Sequence, residues 1–442
     1  MFYKYLQFVI LSFFSASLLA GEVHEFTLDN GLKLIVKEDH RAPVAVSQVW
    51  YKVGASYEQE GKTGLSHMLE HMMFKGTEKH ILGEFNRIMA VNGASQNAFT
   101  GTDYTAYFQT LENTRLSISF EMEADRMRNL VLVEDEFVKE REVVKEERRT
   151  RTDDRPTSLL YEYFRATAYQ TSPYQNPIIG WMSDIGNLQL PDLQAWYQSW
   201  YAPNNATVVV IGDVEPQVVL KLAQQYFGPL KPSELKLPNS RPEVEQFGIK
   251  RIKIKRPAKL PNLMMGYKTP VLSTTTSEQW EVYALEVLSY LLDGGDSTRL
   301  PKNLVRGQQI ASSIGSNYNL FGRLEGLFII EGIPTDNHTI DELETAIYEQ
   351  INQLKNTLVD KKELEMVKTK LRASQVYELD SLFYQGMKIG LLETINLDWR
   401  IFDDYLANIK SVTAEQVQLV ARKYLIEDHL TVAVLEPIGA DK

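Results

Sequence analysis

Cysteine is absent from all 442 residues. That excludes disulfides, thiolate metal ligands, a cysteine nucleophile and a lipid-modified cysteine anchor. A chain of this size can be stable without disulfides, because a large domain buries enough surface on its own. Positive charge is in deficit, with 47 Lys and Arg against 58 Asp and Glu, a net charge of −11. This argues against nonspecific nucleic-acid binding. After residue 20 no stretch is long and apolar enough to span a bilayer. Histidine is scarce as well, with seven in the chain. What is present is ordinary globular composition, 44% hydrophobic, with length for about two or three domains.

The first twenty residues read as a secretory signal rather than as part of the fold. Lys4 supplies the positive start, Leu6 to Leu19 is largely apolar, and Ser17-Leu18-Leu19-Ala20 offers a cleavage site before Gly21. The expected destination is secretion across an inner membrane, into the periplasm if the source is Gram-negative. Strand patterns follow from His24 to Tyr57, including a hairpin around Asp29-Asn30-Gly31. Helices are expected from about Thr63, from Leu82 to Val91, from Asn113 to Leu130 and from Glu134 to Thr152. Residues 229–248 carry Pro229, Pro232, Pro238 and Pro242 and form the linker candidate. A helix ending in Tyr, a polar break and a Thr-Val-x-Val strand occur twice, at Asp192–Ile211 and Thr413–Leu435, which suggests an internal duplication. The expected fold is α+β, with mixed α/β layer domains over residues 21–228 and 249–442.

Two of the seven histidines stand in His67-Met68-Leu69-Glu70-His71. On a helix, His67 and His71 share a face, so both imidazoles reach one metal ion. Glu70 lies at the rim of the same site. Two His and a nearby carboxylate suit a zinc hydrolase, which needs ligands and a base for water. The order His-x-x-Glu-His is the inverzincin signature. Further on, Glu140, Val143, Val144 and Glu147 follow the spacing of an inward helical face. Carboxylates at both ends of a buried stripe need a partner, and a metal would provide one. Gly93 to Thr100 is β-prone with small residues, which fits either an ordinary loop and strand or a place where another backbone approaches.

These stretches resemble the pitrilysin and insulysin zinc peptidases, in particular the short two-domain branch that includes the β subunit of mitochondrial processing peptidase. The carrying residues are Gly64–Thr77, Asn97-Ala98-Phe99-Thr100 and Glu140–Glu147. The resemblance covers essentially the whole chain after the signal. It implies two homologous domains forming half of a clamshell. It implies one zinc ion per chain, held by His67, His71 and Glu147, with Glu70 as the catalytic base and Glu140 supporting a ligand histidine. It makes Ala94, Ser95, Asn97, Ala98 and Phe99 part of an edge strand on which peptide substrate lies. Complete sites in this family also carry an Arg and a Tyr in the later half. Here the matching positions hold Val305 and Ser312, or, one residue along, Arg306 and Ser313. The expectation is therefore a zinc-dependent endopeptidase of short or unfolded peptides, working as a heterodimer whose homologous partner supplies Arg and Tyr. A homodimer is the alternative assembly, and a noncatalytic peptide-binding or scaffold subunit is the alternative function.

Overall fold

The computed structural model describes residues 21–439, apart from 237–240 and 276–277. The signal-peptide reading of residues 1–20 lies outside the described residues. Among them, no helix is long and apolar enough to cross a membrane.

In the first half the strands are β1 (Val23–Thr27), β2 (Lys33–Glu38), β3 (Val44–Tyr51), β4 (Ser95–Thr100), β5 (Thr105–Glu112) and β6 (Ala206–Gly212). Its helices are α1 (Leu65–Met72), α2 (Glu84–Val91), α3 (Leu116–Asn129), α4 (Glu134–Arg148), α5 (Pro156–Ala168), α6 (Met182–Asn187), α7 (Leu190–Trp200) and α8 (Pro216–Tyr226). The second half has β7 (Lys250–Pro257), β8 (Asn262–Thr269), β9 (Ala311–Asn317), β10 (Gly326–Pro334) and β11 (Leu430–Ile438). Its helices are α9 (Trp280–Asp293), α10 (Ile340–Asn356), α11 (Lys361–Glu378), α12 (Leu382–Thr394), α13 (Ile401–Ser411) and α14 (Ala414–Tyr424).

The first sheet runs β1-β2-β6-β3-β5-β4 and the second β7-β11-β8-β10-β9. Without β1 the two orders correspond strand for strand. Each has one parallel pair at the same place, β2 with β6 and β7 with β11, and is otherwise antiparallel. The duplication read from two Thr-Val-x-Val strands is thus a repeat of the whole sheet. Those strands show no polar alternation because both of their faces are covered. In β6, Val208 and Val210 face a core built with α1, α3, α7 and α8, while Val209 and Ile211 face a second cluster.

That second cluster is closed by the other half. Helix α12 lies on the first sheet, with Ile389 packed beside Trp50 and Val209. Reciprocally, α5 lies on the second sheet, with Leu160, Phe164 and Ala168 against Met264, Ala433 and Leu435. Glycine makes both approaches close enough. A Cβ on Gly390 of α12 would fall 2.1 Å from the Trp50 ring, and one on Gly266 of β8 would fall 2.3 Å from the Phe164 ring. The connecting residues are also anchored. Glu243 accepts from the backbone N–H groups of Gln170, Thr171 and Ser172 and from Lys268 Nζ at 2.6 Å.

Candidate metal centre

Helix α1 begins at Gly64, whose φ of +91° a side chain would strain. A Cβ there would also strike the Ile179 carbonyl at 2.7 Å. The first turn is capped from a distance, because the buried Glu58 carboxylate accepts from Gly64 N–H at 2.7 Å and Ser66 N–H at 2.6 Å. Leu65, Met68, Leu69 and Met72 bury the inner face, which turns His67 and His71 toward α4 with ring centroids 4.7 Å apart.

Helix α4 buries Phe137, Glu140, Val144 and Arg148. The inward stripe expected from spacing is corrected at one position. Val143 is 49% exposed, because the buried line runs Phe137–Glu140–Val144 and leaves Val143 to one side. Glu140 and Glu147 do face α1. His71 Nδ1 meets Glu140 Oε1 at 2.8 Å, and His71 Nε2 is turned toward Glu147 Oε2 at 3.2 Å. His67 Nε2 lies 3.7 Å from the same oxygen.

These three residues form a His-His-Glu group whose donor atoms all lie within 4.8 Å of one another. The donor set fits a metal on a direct test. Glu147 Oε2 is buried, and no described group meets it at hydrogen-bonding geometry. An unpaired buried carboxylate oxygen is costly, and a cation relieves it. Tetrahedral zinc with bonds of about 2.1 Å holds its ligand atoms about 3.4 Å apart, between the two separations seen here.

Electrostatics follow from this crowding. Burial works against the His71 imidazolium, but Glu140 and Glu147 outweigh it and lift His71 to about 9. Burial and then the neighbouring His71 charge push His67 down to about 4. Glu147 is held below the usual carboxylate range, first by His71. Burial opposes the Glu140 carboxylate, yet His71 and Lys75 hold it low too. Glu70 differs. Burial raises its carboxyl, and the Thr100 hydroxyl, which donates to Glu70 Oε2, only moderates the rise.

Strand β4 is the outer strand of its sheet, paired on one side by β5. It borders a cavity of about 1160 Å³ that also holds His67, Glu70, His71 and Glu147. This exceeds the ~300–1,000 Å³ of small-ligand pockets and leaves room for an extended chain. Of the residues expected to bind substrate, Asn97, Ala98 and Phe99 line the cavity, joined by Thr100. Ala94 and Ser95 do not line it. Ala94 packs against the Phe85–Met89–Met122 cluster, and Ser95 opens the strand on the exposed side. From the second half, Asn262, Met264 and Glu331 reach the cavity. Val305, Arg306, Ser312 and Ser313 do not; Ser312 instead donates to the Ile333 carbonyl at 3.2 Å.

Sequence reasoning missed several partners. Arg151 meets Glu147 Oε1 at 2.9 Å, and Lys75 pairs with Glu140. Arg148 grips Glu162 with two bonds of 2.8 Å and the Gly180 carbonyl at 2.9 Å, which ties the end of α4 to the loop under Gly64. The i, i+4 spacing of Glu147 and Arg151 was a usable signal. The other contacts join distant parts of the chain and leave none.

Residues 33–181 match the family model described as Insulinase (Peptidase family M16), and residues 187–371 match Peptidase M16 inactive domain. Zinc protease PqqE of Helicobacter pylori is 34% identical over 93% of this chain and 92% of its own length. The chain belongs to peptidase family M16. An M16 relative from Bacillus subtilis, the zinc protease YmxG, is 24% identical over 94% of this chain and 99% of its own. The crystal structure of a protease from Helicobacter pylori superposes with a TM-score of 0.89 at 32% identity, over 94% of this chain and all of that one. The fold also matches the Escherichia coli periplasmic protease PqqL, with a TM-score of 0.81 at 17% identity, over 94% of this chain but 48% of that longer one. The fold seen here thus corresponds to about half of that longer chain.

Proposed function

We propose that this M16 chain is the zinc-bearing subunit of an endopeptidase that hydrolyses short or unfolded peptides. One observation carries the reading: His67, His71 and Glu147 converge around an unpaired carboxylate oxygen, beside Glu70, in a cavity edged by a free strand. Zinc held by those three residues would polarise a peptide carbonyl and acidify a water molecule. Substrate lies along β4 as an added strand, read through its backbone and so with modest side-chain selectivity. Glu70 takes the proton from the attacking water and gives it to the leaving amine. The Thr100 hydroxyl, which donates to Glu70 Oε2, fixes its orientation. Glu140 holds His71 in the tautomer that turns Nε2 toward Glu147.

The test is metal content and cleavage of an unstructured peptide by wild type and Glu70→Gln, each co-expressed with a homologous M16 partner. Wild type should bind one zinc and cleave. Glu70→Gln should keep the zinc and lose cleavage by at least about a hundredfold. Cleavage that survives the substitution refutes the assignment. A noncatalytic peptide-binding subunit would bind zinc and peptide in the same experiment and cleave nothing in either form.

The partner is a homologous M16 chain that supplies Arg and Tyr. Two facts support this: the second half offers the cavity Asn262, Met264 and Glu331 but neither Arg nor Tyr, and the fold fills only half of a longer chain. Full activity of the isolated monomer would rule out a required partner. The proposed location is the periplasm, on the strength of the signal pattern in residues 1–20; recovery of the protein uncleaved in the cytoplasmic fraction would contradict it.

A further inference from the structure

The geometry points to Arg323, in the second half, as a positioning residue for the site in the first. Its guanidinium crosses between the halves. Arg323 Nε donates to Asp103 Oδ1 at 3.0 Å, and Nη2 donates to Ser56 Oγ at 2.8 Å. Ser56 Oγ in turn donates to Asp103 Oδ1 at 2.6 Å, and the group stacks over Tyr57 at 4.4 Å. The backbone N–H groups of Arg323 and Leu324 donate to Tyr174 Oη at 2.9 and 3.1 Å, while Tyr174 donates to Asp103 Oδ2. Ser56, Asp103 and Tyr174 are all buried.

Two of the residues that Arg323 touches, Asp103 and Ser56, are the feet of the two supports of the site. Asp103 lies three residues beyond Thr100, the donor to Glu70. Ser56 lies two residues before Glu58, the carboxylate that caps the helix of His67 and His71. The two feet are also laced by backbone, Ser56 N–H to the Thr102 carbonyl at 2.7 Å and Ala55 N–H to the Gly101 carbonyl at 3.2 Å. One side chain therefore fixes the register between the substrate strand and the metal helix, and it comes from the other half. Arg323 lies outside both the cavity lining and the His-His-Glu group. Its effect is on alignment at the moment of reaction, where a displacement of about 1 Å costs about a hundredfold in rate.

This inference rests on the peptidase reading above. The experiment compares Arg323→Ala, Arg323→Lys, Ser56→Ala and a control, Lys33→Met, in the zinc-loaded full chain with its activating partner. Lys33 also pairs across the halves, with Glu393 of α12 at 2.8 Å, but α12 covers the face of the sheet opposite the metal helix. The readouts are zinc affinity, melting temperature, kcat and KM on an internally quenched unstructured peptide. Arg323→Ala should lower kcat by about 10- to 100-fold with KM within about twofold and zinc affinity retained. Ser56→Ala should lower kcat in the same direction by less, and Arg323→Lys should recover part of the loss. Lys33→Met should lower the melting temperature and leave kcat alone. Unchanged kcat in Arg323→Ala, or a loss matched by Lys33→Met at equal melting temperature, overturns the inference. No cleavage by wild type would instead overturn the peptidase reading itself.

Discussion

Glu140 stands between a histidine of the candidate metal group and a lysine, accepting from His71 Nδ1 while pairing with Lys75. Removing its charge frees the His71 ring to rotate and weakens its nitrogen as a donor. Glu140→Gln should cost about 10- to 100-fold in zinc affinity, measured by competition with a chelator. Glu286 makes a different case, far from the metal. Burial pushes its carboxyl up to about 8, against the pull of the Tyr405 hydroxyl that donates to it at 2.6 Å. Between the ordinary 4.5 and about 8 the folded chain keeps a proton that the unfolded chain has released. The stability this group contributes is complete below pH 4.5 and is lost as the pH rises through about 8. Glu286→Gln should flatten that fall, seen as a smaller difference between denaturant midpoints at about pH 5 and about pH 8. At this scale the sequence revealed what obeys helical spacing: His67 with His71, and Glu140 with Glu147. Thr100, Lys75 and Glu58 were hidden, because their roles depend on which distant segment their side chains meet.

Among the elements, β4 is the one whose outer edge the proposed peptide pairing would use. The Ala98 N–H is met by Asn97 Oδ1 at 2.9 Å rather than by β5, so its hydrogen-bonding side faces away from the sheet. A peptide paired there would replace the Asn97 contact with a strand bond. Ala98→Pro removes that donor without breaking the β4–β5 ladder. It should raise KM by about tenfold or more at little change in melting temperature, since one such bond contributes about 1 kcal/mol and ordered pairing of its neighbours fails with it. Strands and helices with a clean hydrophobic period were readable in advance, including β2, β3, β6, α1 and α4. Strand β7 was not, because Lys-Arg-Ile-Lys-Ile-Lys is charged at every second position and its role shows only when β11 is seen to pair with it. Helices α5 and α12 were also missed. Their apolar residues serve the other half, so neither shows the face its own neighbourhood would ask for.

For the whole molecule, the exchange of α5 and α12 matters more than the linker that joins the halves. Each sheet has one face closed by its own helices and the other by a helix from across the chain. Expressed separately, residues 21–228 and 249–439 should each expose a strand face rich in Val, Ile and Trp or Met and Leu, and should aggregate. Co-expressed, they should associate and unfold in one cooperative transition, measured by co-purification and thermal melting. The fold class was legible because a duplicated sheet leaves a duplicated strand pattern. The way the halves interlock was not, because Gly390 against Trp50 and Gly266 against Phe164 are single positions with no period.

The same exchange has a consequence for synthesis. The sheet that frames the metal centre is complete by Gly212, yet its cover, α12, begins at Leu382. A ribosome making the chain must add the intervening residues before Trp50, Val209 and Ile211 can be sealed from water. The half that carries His67, His71 and Glu147 is therefore sealed only after α12 has been made, a high-contact-order arrangement that folds slowly. A truncated product carries the full zinc motif on an unfinished scaffold.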